Sequence, residues 1–540
     1  MKEFFHPVDY FRQDSFRGYN LLMRTSQLYL AVFFSGLTTL AAELAASRLL
    51  ENHFGTSNLI YASIIGLILI YLTAGYLLGG YWADRSPHPQ TFLNILAWGG
   101  FTIGLVPLIS RPVLRLAANA FDQLQMGALL GSFVVVMVLF VVPVTLLGMA
   151  SPFAIRLAIQ DAGQAGSVSG KIYAISTLGS FLGTFLPGLI LIPLVGTYRT
   201  FLSISGLMLL VSLGLLWGTC GWKPALALLW MPVVILLLAV LGVRGFDKTT
   251  SGLIFETESS YNYIQVIQDG DFRYLRLNEG QGIHSMYHPT QLLYAGPWEQ
   301  VLAAPYFNSA PYAPENLQSM AIIGLAAGTT ARQAAAAYGN LLIDGFEIDP
   351  KIVQVGRDYF GMNLSNLNVM IQDGRYGLAH TSRRYQVISI DAYRPPYIPW
   401  HLTTREFFQE VRDHLTEDGV ITINVGRAPG DRRLIEAFSA TLLTVFPSVY
   451  VVDLPGTFNS ILYASVQPSE PANLDANLVY LLGRGDVHPL ILYSLKVVLE
   501  NLQPAPIGGV VFTDDRAPIE WITNTMVVRF LLSGEAEVLQ

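Results

Sequence analysis

Cysteine is all but missing from this sequence. Cys220 stands alone among 540 residues, which excludes an internal disulfide and any metal site built from clustered cysteines. Charge is scarce as well: Asp, Glu, Lys and Arg make up 13% of the chain, against about 25% in soluble proteins. The formal net charge of -7 gives no reason to expect nucleic acid as a partner. In their place stand hydrophobic residues, 52% of the chain, and the mean hydropathy is +0.43. A chain of this length exceeds one ordinary core, so two or more domains are expected.

The apolar residues are unevenly spread. Up to about residue 245 they form long runs poor in Asp and Glu, and after Lys248 a globular mixture of charges and turns returns. The boundary therefore falls near Arg244–Ser251. A bilayer span needs about 20 mainly apolar residues. Seven runs qualify, at 27–49, 58–82, 92–110, 126–148, 172–195, 200–218 and 225–243. The expected division is a polar segment over 1–26, a transmembrane helical domain over 27–245, a β-hairpin subdomain over 252–315 and a larger globular domain over 316–540. No cleavable signal is evident in the polar first residues. Gly75-Tyr-Leu-Leu-Gly-Gly80 and Gly179-Ser-Phe-Leu-Gly183 would let helices approach closely. Glu43 and Arg48 fall inside the first run, where charge is costly unless it faces the bundle interior, a partner or the interface. Arg48 is placed to snorkel at the helix end, and Glu43, being deeper, is the candidate for a functional intramembrane group.

The basic residues Arg85, Arg156, Lys171 and Lys223 share one face, and their bias slightly favours a cytoplasmic N-terminal side. With seven spans that would put the C-terminal half outside. A nucleotide ligand made inside cells argues the reverse, and the expectation is an inner-membrane protein whose catalytic domain is cytoplasmic.

The second half changes rhythm. Tyr261-Asn-Tyr-Ile-Gln-Val-Ile-Gln alternates like a strand, turns at Asp269-Gly-Asp271 and alternates again, which is a hairpin signal. From about 318 apolar strands at 320–323, 341–346, 369–371, 387–390, 420–425 and 449–452 alternate with helical stretches, mostly one between each pair. That pattern predicts an α/β fold with a mostly parallel, doubly wound sheet of Rossmann-like type. Such sheets bind ligands at the C-terminal ends of their strands.

Those strand ends carry the chemistry. The first opens into Gly324-Leu-Ala-Ala-Gly328-Thr-Thr ahead of an Ala-rich helix, where small residues let backbone approach a ligand. It is not Gly-x-Gly-x-x-Gly, so a pyrophosphate loop is only weakly supported. The second strand ends in Glu347, spaced to accept ribose hydroxyls. The third ends in Asp373-Gly374, where a carboxylate can accept from an adenine amino group. The fourth ends in Asp391, which opens the aromatic loop Asp391-Ala-Tyr-Arg-Pro-Pro-Tyr-Ile-Pro-Trp400. A lone acid at such a place is commonly a helix cap. Three in succession after a small-residue loop point to an adenosyl-type nucleotide.

This ordered set resembles the class I methyltransferase-type fold and, within it, the spermidine synthase (polyamine aminopropyltransferase) family. The resemblance covers roughly 252–465: the hairpin, Phe346-Glu-Ile-Asp-Pro350, Asp373-Gly-Arg375, and the Asp391 loop followed by Thr404-Arg-Glu-Phe-Phe408. With the apolar half and the late Thr513-Asp-Asp-Arg-Ala-Pro518, the chain is similar to membrane-fused members. The resemblance implies that Glu347 holds the ribose of decarboxylated S-adenosylmethionine, that Asp373 and Gly374 hold the adenine, and that Asp391 orients and deprotonates an attacking amine. It places Gln281 and His284 where the hairpin reaches over the nucleotide, with Tyr393, Tyr397 and Trp400 walling an amine cleft. It implies a small-molecule amine partner, a lipid bilayer, no metal and a homodimer. Two positions depart from the family: Ala327 stands where an Asp grips the aminopropyl ammonium, and Arg394 where a second acid binds the polyamine.

Three readings follow. The first is a membrane-anchored transferase moving an aminopropyl group to an amine. The second is a methyltransferase using intact S-adenosylmethionine. The third is a non-catalytic, transporter-like membrane protein with a nucleotide-sensing domain.

Overall fold

The structure, a computed structural model, describes residues 23–54, 58–124, 128–159, 161–242, 250–278, 282–393, 397–428 and 430–532. The apolar half is all helix: α1 Thr25–Phe54, α2 Asn58–Arg85, α3 Pro89–Leu124, α4 Ala128–Gly148, α5 Ala150–Ala158, α6 Ala165–Leu186, α7 Ile192–Val195, α8 Thr197–Cys220, α9 Trp222–Ala227 and α10 Trp230–Leu237. Among the described residues seven segments are long and apolar enough to cross a membrane: Thr25–Glu51, Tyr61–Arg85, Pro89–Leu114, Ser132–Ala158, Ala165–Val195, Thr197–Cys220 and Trp222–Leu241. A π-helical turn, Pro187–Leu191, joins α6 to α7. Proline brings no amide hydrogen, and the ladder widens locally where it sits.

Gly75, Gly79, Gly179 and Gly183 stand at close approaches between helices, whereas a Cβ on Gly80 would meet open space, so Gly80 does not serve the expected close approach. A Cβ on Gly179 or Gly183 would overlap the carbonyl of Phe33 or Leu37 on α1, and one on Gly75 would sit 2.5 Å from the Thr145 carbonyl oxygen on α4. Small residues thus set how near these backbones lie. Arg48 departs from the snorkelling expectation: it is buried, and its guanidinium is taken by Glu51 and by the carbonyls of Ser259 and Tyr261.

The second half begins with an antiparallel four-stranded meander, β1 Leu253–Glu258, β2 Tyr263–Asp269, β3 Phe272–Leu277 and β4 Ile283–Tyr287. Its central turn pairs Asp269 with Phe272 across a two-residue loop in which Gly270 takes φ +58°. A short helix α11 (Pro297–Gln300) leads into the larger layered unit. There β5 Ser319–Ile323, α12 Thr329–Tyr338, β6 Leu342–Glu347, α13 Pro350–Tyr359, β7 Leu367–Ile371, α14 Gly374–Ala379, β8 Tyr385–Ile390, α15 Arg405–Asp413 and β9 Leu415–Gly426 alternate. Then come α16 Arg433–Leu442, β10 Ser448–Asp453, β11 Asn459–Ser465, α17 Pro471–Leu482, α18 Pro489–Asn501, β12 Leu502–Pro504 and α19 Ile519–Leu532.

The eight strands run in the order β12-β10-β11-β9-β8-β5-β6-β7. β9, β8, β5, β6 and β7 are parallel, while β11, β10 and β12 join antiparallel at one edge, so the sheet is mixed. Strand alternation buries both faces: Met320 and Ile322 enter one core, Ala321 and Ile323 the other. Chain order reverses between β5 and β8, which opens a crevice at their C-terminal ends.

Candidate active site

At that crevice the Asp391 amide donates to the Ile323 carbonyl (2.9 Å), seating the start of the aromatic loop against the first strand. Gly324 takes φ +89°, and a Cβ there would lie 2.5 Å from the Asp391 carbonyl oxygen. Only glycine combines that backbone with that proximity. Gly328, at φ +86°, caps α12, and Ala326 is also left-handed at φ +48°. The turn is held from two sides. Ala326 N–H donates to Glu347 Oε2 (2.9 Å), and Ala327 N–H donates to the Ser285 hydroxyl of β4 (3.0 Å). Thr329 adds a reciprocal pair with the Met286 backbone, so the meander lies directly over the loop.

Glu347 is buried at the end of β6, where Asp349 N–H donates to its Oε1 (3.0 Å). Burial raises its pKa to about 7, and the neighbouring Asp349 charge adds to the rise. Asp373 caps α14 by accepting from Tyr376 N–H (3.0 Å) through Oδ1, while its Oδ2 pairs with His401 Nε2 (2.9 Å). The His401 bond is the main cause holding the Asp373 carboxyl below its ordinary range. Gly374 follows because a Cβ there would overlap the Ile323 side chain.

Asp391 itself is half-buried, and its Oδ1 accepts from Asn424 Nδ2 (3.0 Å). Burial raises its pKa to about 6, and Asn424 offsets part of that rise. Tyr393 turns its hydroxyl to the end of β9, accepting from Gly426 N–H (2.7 Å) and donating to the Asn424 carbonyl (3.0 Å). Gly324, Gly328, Glu347, Asp391 and Tyr393 thus stand at neighbouring strand ends and the turn between them, with Gly374 against Ile323. Tyr397 is buried with its hydroxyl on Asn524 of α19 (2.5 Å), whereas Trp400 is half exposed and meets His401 edge to face. His284 lies on β4, its Nε2 without a hydrogen-bond partner among the described residues and its pKa lowered to about 4 by burial. Gln281 and Arg394 lie outside the described residues.

Asn424, His401 and Ser285 were not legible as site residues. Asn424 sits in an apolar strand, and nothing in its spacing marks the carboxylate it meets. Motifs far apart in sequence also converge: Arg375 bridges Glu410 (2.6 Å) and Asp514 (2.8 Å), and Asp514 accepts from the Thr404 hydroxyl (2.6 Å). The late acidic motif therefore clamps the loop after Asp391 to the helix after Asp373. Ala327 is fully buried against Ile352, Val355 and Phe360. Among the described residues no group of three or more His, Cys, Asp or Glu is arranged to hold a metal ion.

The fold is a doubly wound α/β unit of methyltransferase type, with acids at successive strand ends, joined to an apolar helical bundle. Residues 309–474 match the spermine/spermidine synthase domain. The chain is 30% identical over 251 residues to the polyamine aminopropyltransferase of Vibrio vulnificus, spanning 44% of this chain and 81% of that protein. It is also 30% identical over 292 residues to a probable polyamine aminopropyl transferase of Bifidobacterium longum. That match spans 52% of this chain and 64%, just under two thirds, of the relative. Among solved structures, a probable spermidine synthase from Corynebacterium glutamicum superposes with a TM-score of 0.39 at 19% identity, covering 49% of this chain and 97% of that one. The chain belongs to the polyamine aminopropyltransferase family.

Proposed function

We propose that this protein transfers an aminopropyl group from decarboxylated S-adenosylmethionine to a small amine, with Asp391 as the base. One observation carries the reading: a carboxylate with pKa raised to about 6 stands at the switch point of the sheet, beside the glycine turn and held by Asn424. Glu347 takes the ribose hydroxyls, Gly324 and Gly328 admit the nucleotide backbone, and Asp373 with Gly374 takes the adenine. His284 reaches the nucleotide from the meander, Gln281 is assigned to the same ligand by its sequence position, and Tyr393, Tyr397 and Trp400 line the amine side.

In the transfer the acceptor nitrogen attacks the methylene carbon attached to the sulfonium. The new C–N bond forms as the C–S bond breaks, and sulfur leaves as a neutral thioether. The nitrogen's surplus proton passes to Asp391. A carboxylate of pKa about 6 is ionised at neutral pH yet basic enough to take a proton. Because the sulfonium is already a good leaving group, holding the two reactants in line supplies much of the rate. The seven helices anchor this domain in the inner membrane with the site on the cytoplasmic side, as a homodimer.

A second reading, methyl transfer from intact S-adenosylmethionine, is favoured by the two departures at Ala327 and Arg394. The buried methyl of Ala327 offers no carboxylate to pair with an aminopropyl ammonium or to repel the cofactor's own carboxylate. Calorimetry on detergent-purified protein separates the two. A preference of about tenfold or more for the decarboxylated form, ~1.4 kcal/mol, supports aminopropyl transfer. The same preference for the intact form replaces it with methyl transfer, and binding of neither removes both.

A further inference from the structure

The apolar bundle and the nucleotide acid are joined by a continuous run of buried polar groups. It starts at Arg48 near the end of α1, which is 8% exposed and forms an ion pair with Glu51 (2.8 Å). Arg48 Nη2 donates to the Ser259 carbonyl (2.6 Å), and Nη1 donates to the Tyr261 carbonyl (3.3 Å). Ser259, 5% exposed, shapes the turn between β1 and β2 by accepting from Tyr261 N–H (3.0 Å) and Asn262 N–H (2.9 Å). Its hydroxyl donates onward to Asp349 Oδ2 (2.5 Å), which also accepts from Asn262 Nδ2 (3.0 Å). Asp349 is fully buried, caps α13 through Oδ1 on Lys351 N–H (2.9 Å), and turns its own amide to Glu347 Oε1 (3.0 Å).

A second contact pins the same turn from another helix. The Glu258 carboxylate accepts from the Thr197 amide (2.8 Å) and hydroxyl (2.7 Å) at the start of α8. An acid at a helix N-terminus meets unsatisfied N–H groups and the positive end of the dipole. Two helices of the bundle therefore grip residues 258–261, and the other side of that turn holds Asp349.

Arg48, Glu51, Ser259, Asn262, Asp349 and Glu347 are all buried, and a buried polar group left without its partner costs more than the bond is worth in water. A displacement of α1 at Arg48 must therefore either carry the turn with it or strand a guanidinium. The turn in turn fixes the Asp349 carboxylate, and Asp349 fixes one oxygen of Glu347. We propose that Arg48 is a positioning residue for the nucleotide site: through Ser259 and Asp349 the first helix sets the aim of the Glu347 carboxylate, so recognition of the ribose depends on the packing of the bundle. This rests on the reading that Glu347 takes the ribose hydroxyls.

The test measures binding of methylthioadenosine, the thioether that the proposed transfer releases, and of its 2′-deoxy analogue to the full chain in lipid nanodiscs. The ratio of the two affinities reports the aim of Glu347, which a loss of general stability would leave alone. In Arg48→Gln the riboside should weaken about five- to tenfold, at the low end for coupled sites, and the deoxy analogue less than about twofold. Ser259→Ala, which leaves the bundle untouched, should collapse the ratio in the same way, and Arg48→Lys should restore much of it. An unchanged ratio in Ser259→Ala, where Glu347→Gln does collapse it, overturns the relay while the ribose reading stands. A ratio that survives Glu347→Gln overturns the ribose reading and the relay with it. If Arg48→Gln does not fold, Ser259→Ala decides alone.

Discussion

The side-chain amide of Asn424 donates to the Asp391 carboxylate at 3.0 Å, from the neighbouring strand of the sheet. The bond stabilises the charged form and keeps the Asp391 pKa from rising further. Asn424→Ala should therefore move the acidic limb of the kcat/KM profile to higher pH and lower kcat about tenfold. Initial rates between pH 5 and 9 check this. An unmoved limb would detach Asn424 from the reaction.

Asp391→Asn should cut kcat by about a hundredfold or more, the usual worth of a positioned base, with nucleotide affinity within about threefold. The same variant carries a stability signature. Asp391 has its pKa raised from 3.8 to about 6, so the folded state holds a proton that the unfolded chain has released between those values. The charged carboxylate therefore destabilises the fold increasingly as pH rises through about 6, and not below 3.8. Asp391→Asn should melt higher than wild type at pH 8 and alike at pH 4, by thermal denaturation in detergent. The reverse order at pH 8 would contradict the burial argument.

Gly324→Ala meets two penalties at once. Its φ of +89° is strained for any residue with a Cβ, and the new methyl would stand 2.5 Å from the Asp391 carbonyl oxygen. A loss of about 2–4 kcal/mol is expected from strain and overpacking together. Urea unfolding of the wild type and variant reads it, and nucleotide binding should fall because the added methyl distorts the turn that Gly324 offers to the nucleotide.

Restoring the family's acid by Ala327→Asp should not restore ammonium binding. Ala327 is fully buried in the apolar cluster that also holds Ile352, Val355 and Phe360, so a carboxylate there would be buried in apolar surroundings. About 2–4 kcal/mol of stability should be lost. A stable variant with tighter binding of decarboxylated S-adenosylmethionine would show that the loop opens further than this structure has it.

How much was legible depended on whether the signal was local. Periodicity located the seven apolar helices and the β/α alternation because each element carries its own pattern. Glu347, Asp373 and Asp391 stood out because a strand's end is a local event, and the acid there needs no partner to be noticed. The antiparallel strand 459–465, which lies inside the sheet between β10 and β9, is not legible because its apolar run reads alike for several elements. Arg48 was misread for a related reason. A charge near the end of an apolar run fits snorkelling, and only the docked turn supplies the carbonyls that bury it.

Composition and pattern alone thus determined a helical apolar half, a doubly wound second half, and acids at three successive strand ends. Tertiary structure decided what those acids meet: Asn424 on Asp391, His401 on Asp373, the Ala326 and Asp349 amides on Glu347. It also decided that the first helix reaches Asp349 and Glu347 through the turn at Ser259. Hydrophobic period and strand-end chemistry are written over a few neighbouring residues. A hydrogen bond such as that of Arg48 to Ser259 joins positions 211 apart and exists only once both halves have folded against each other.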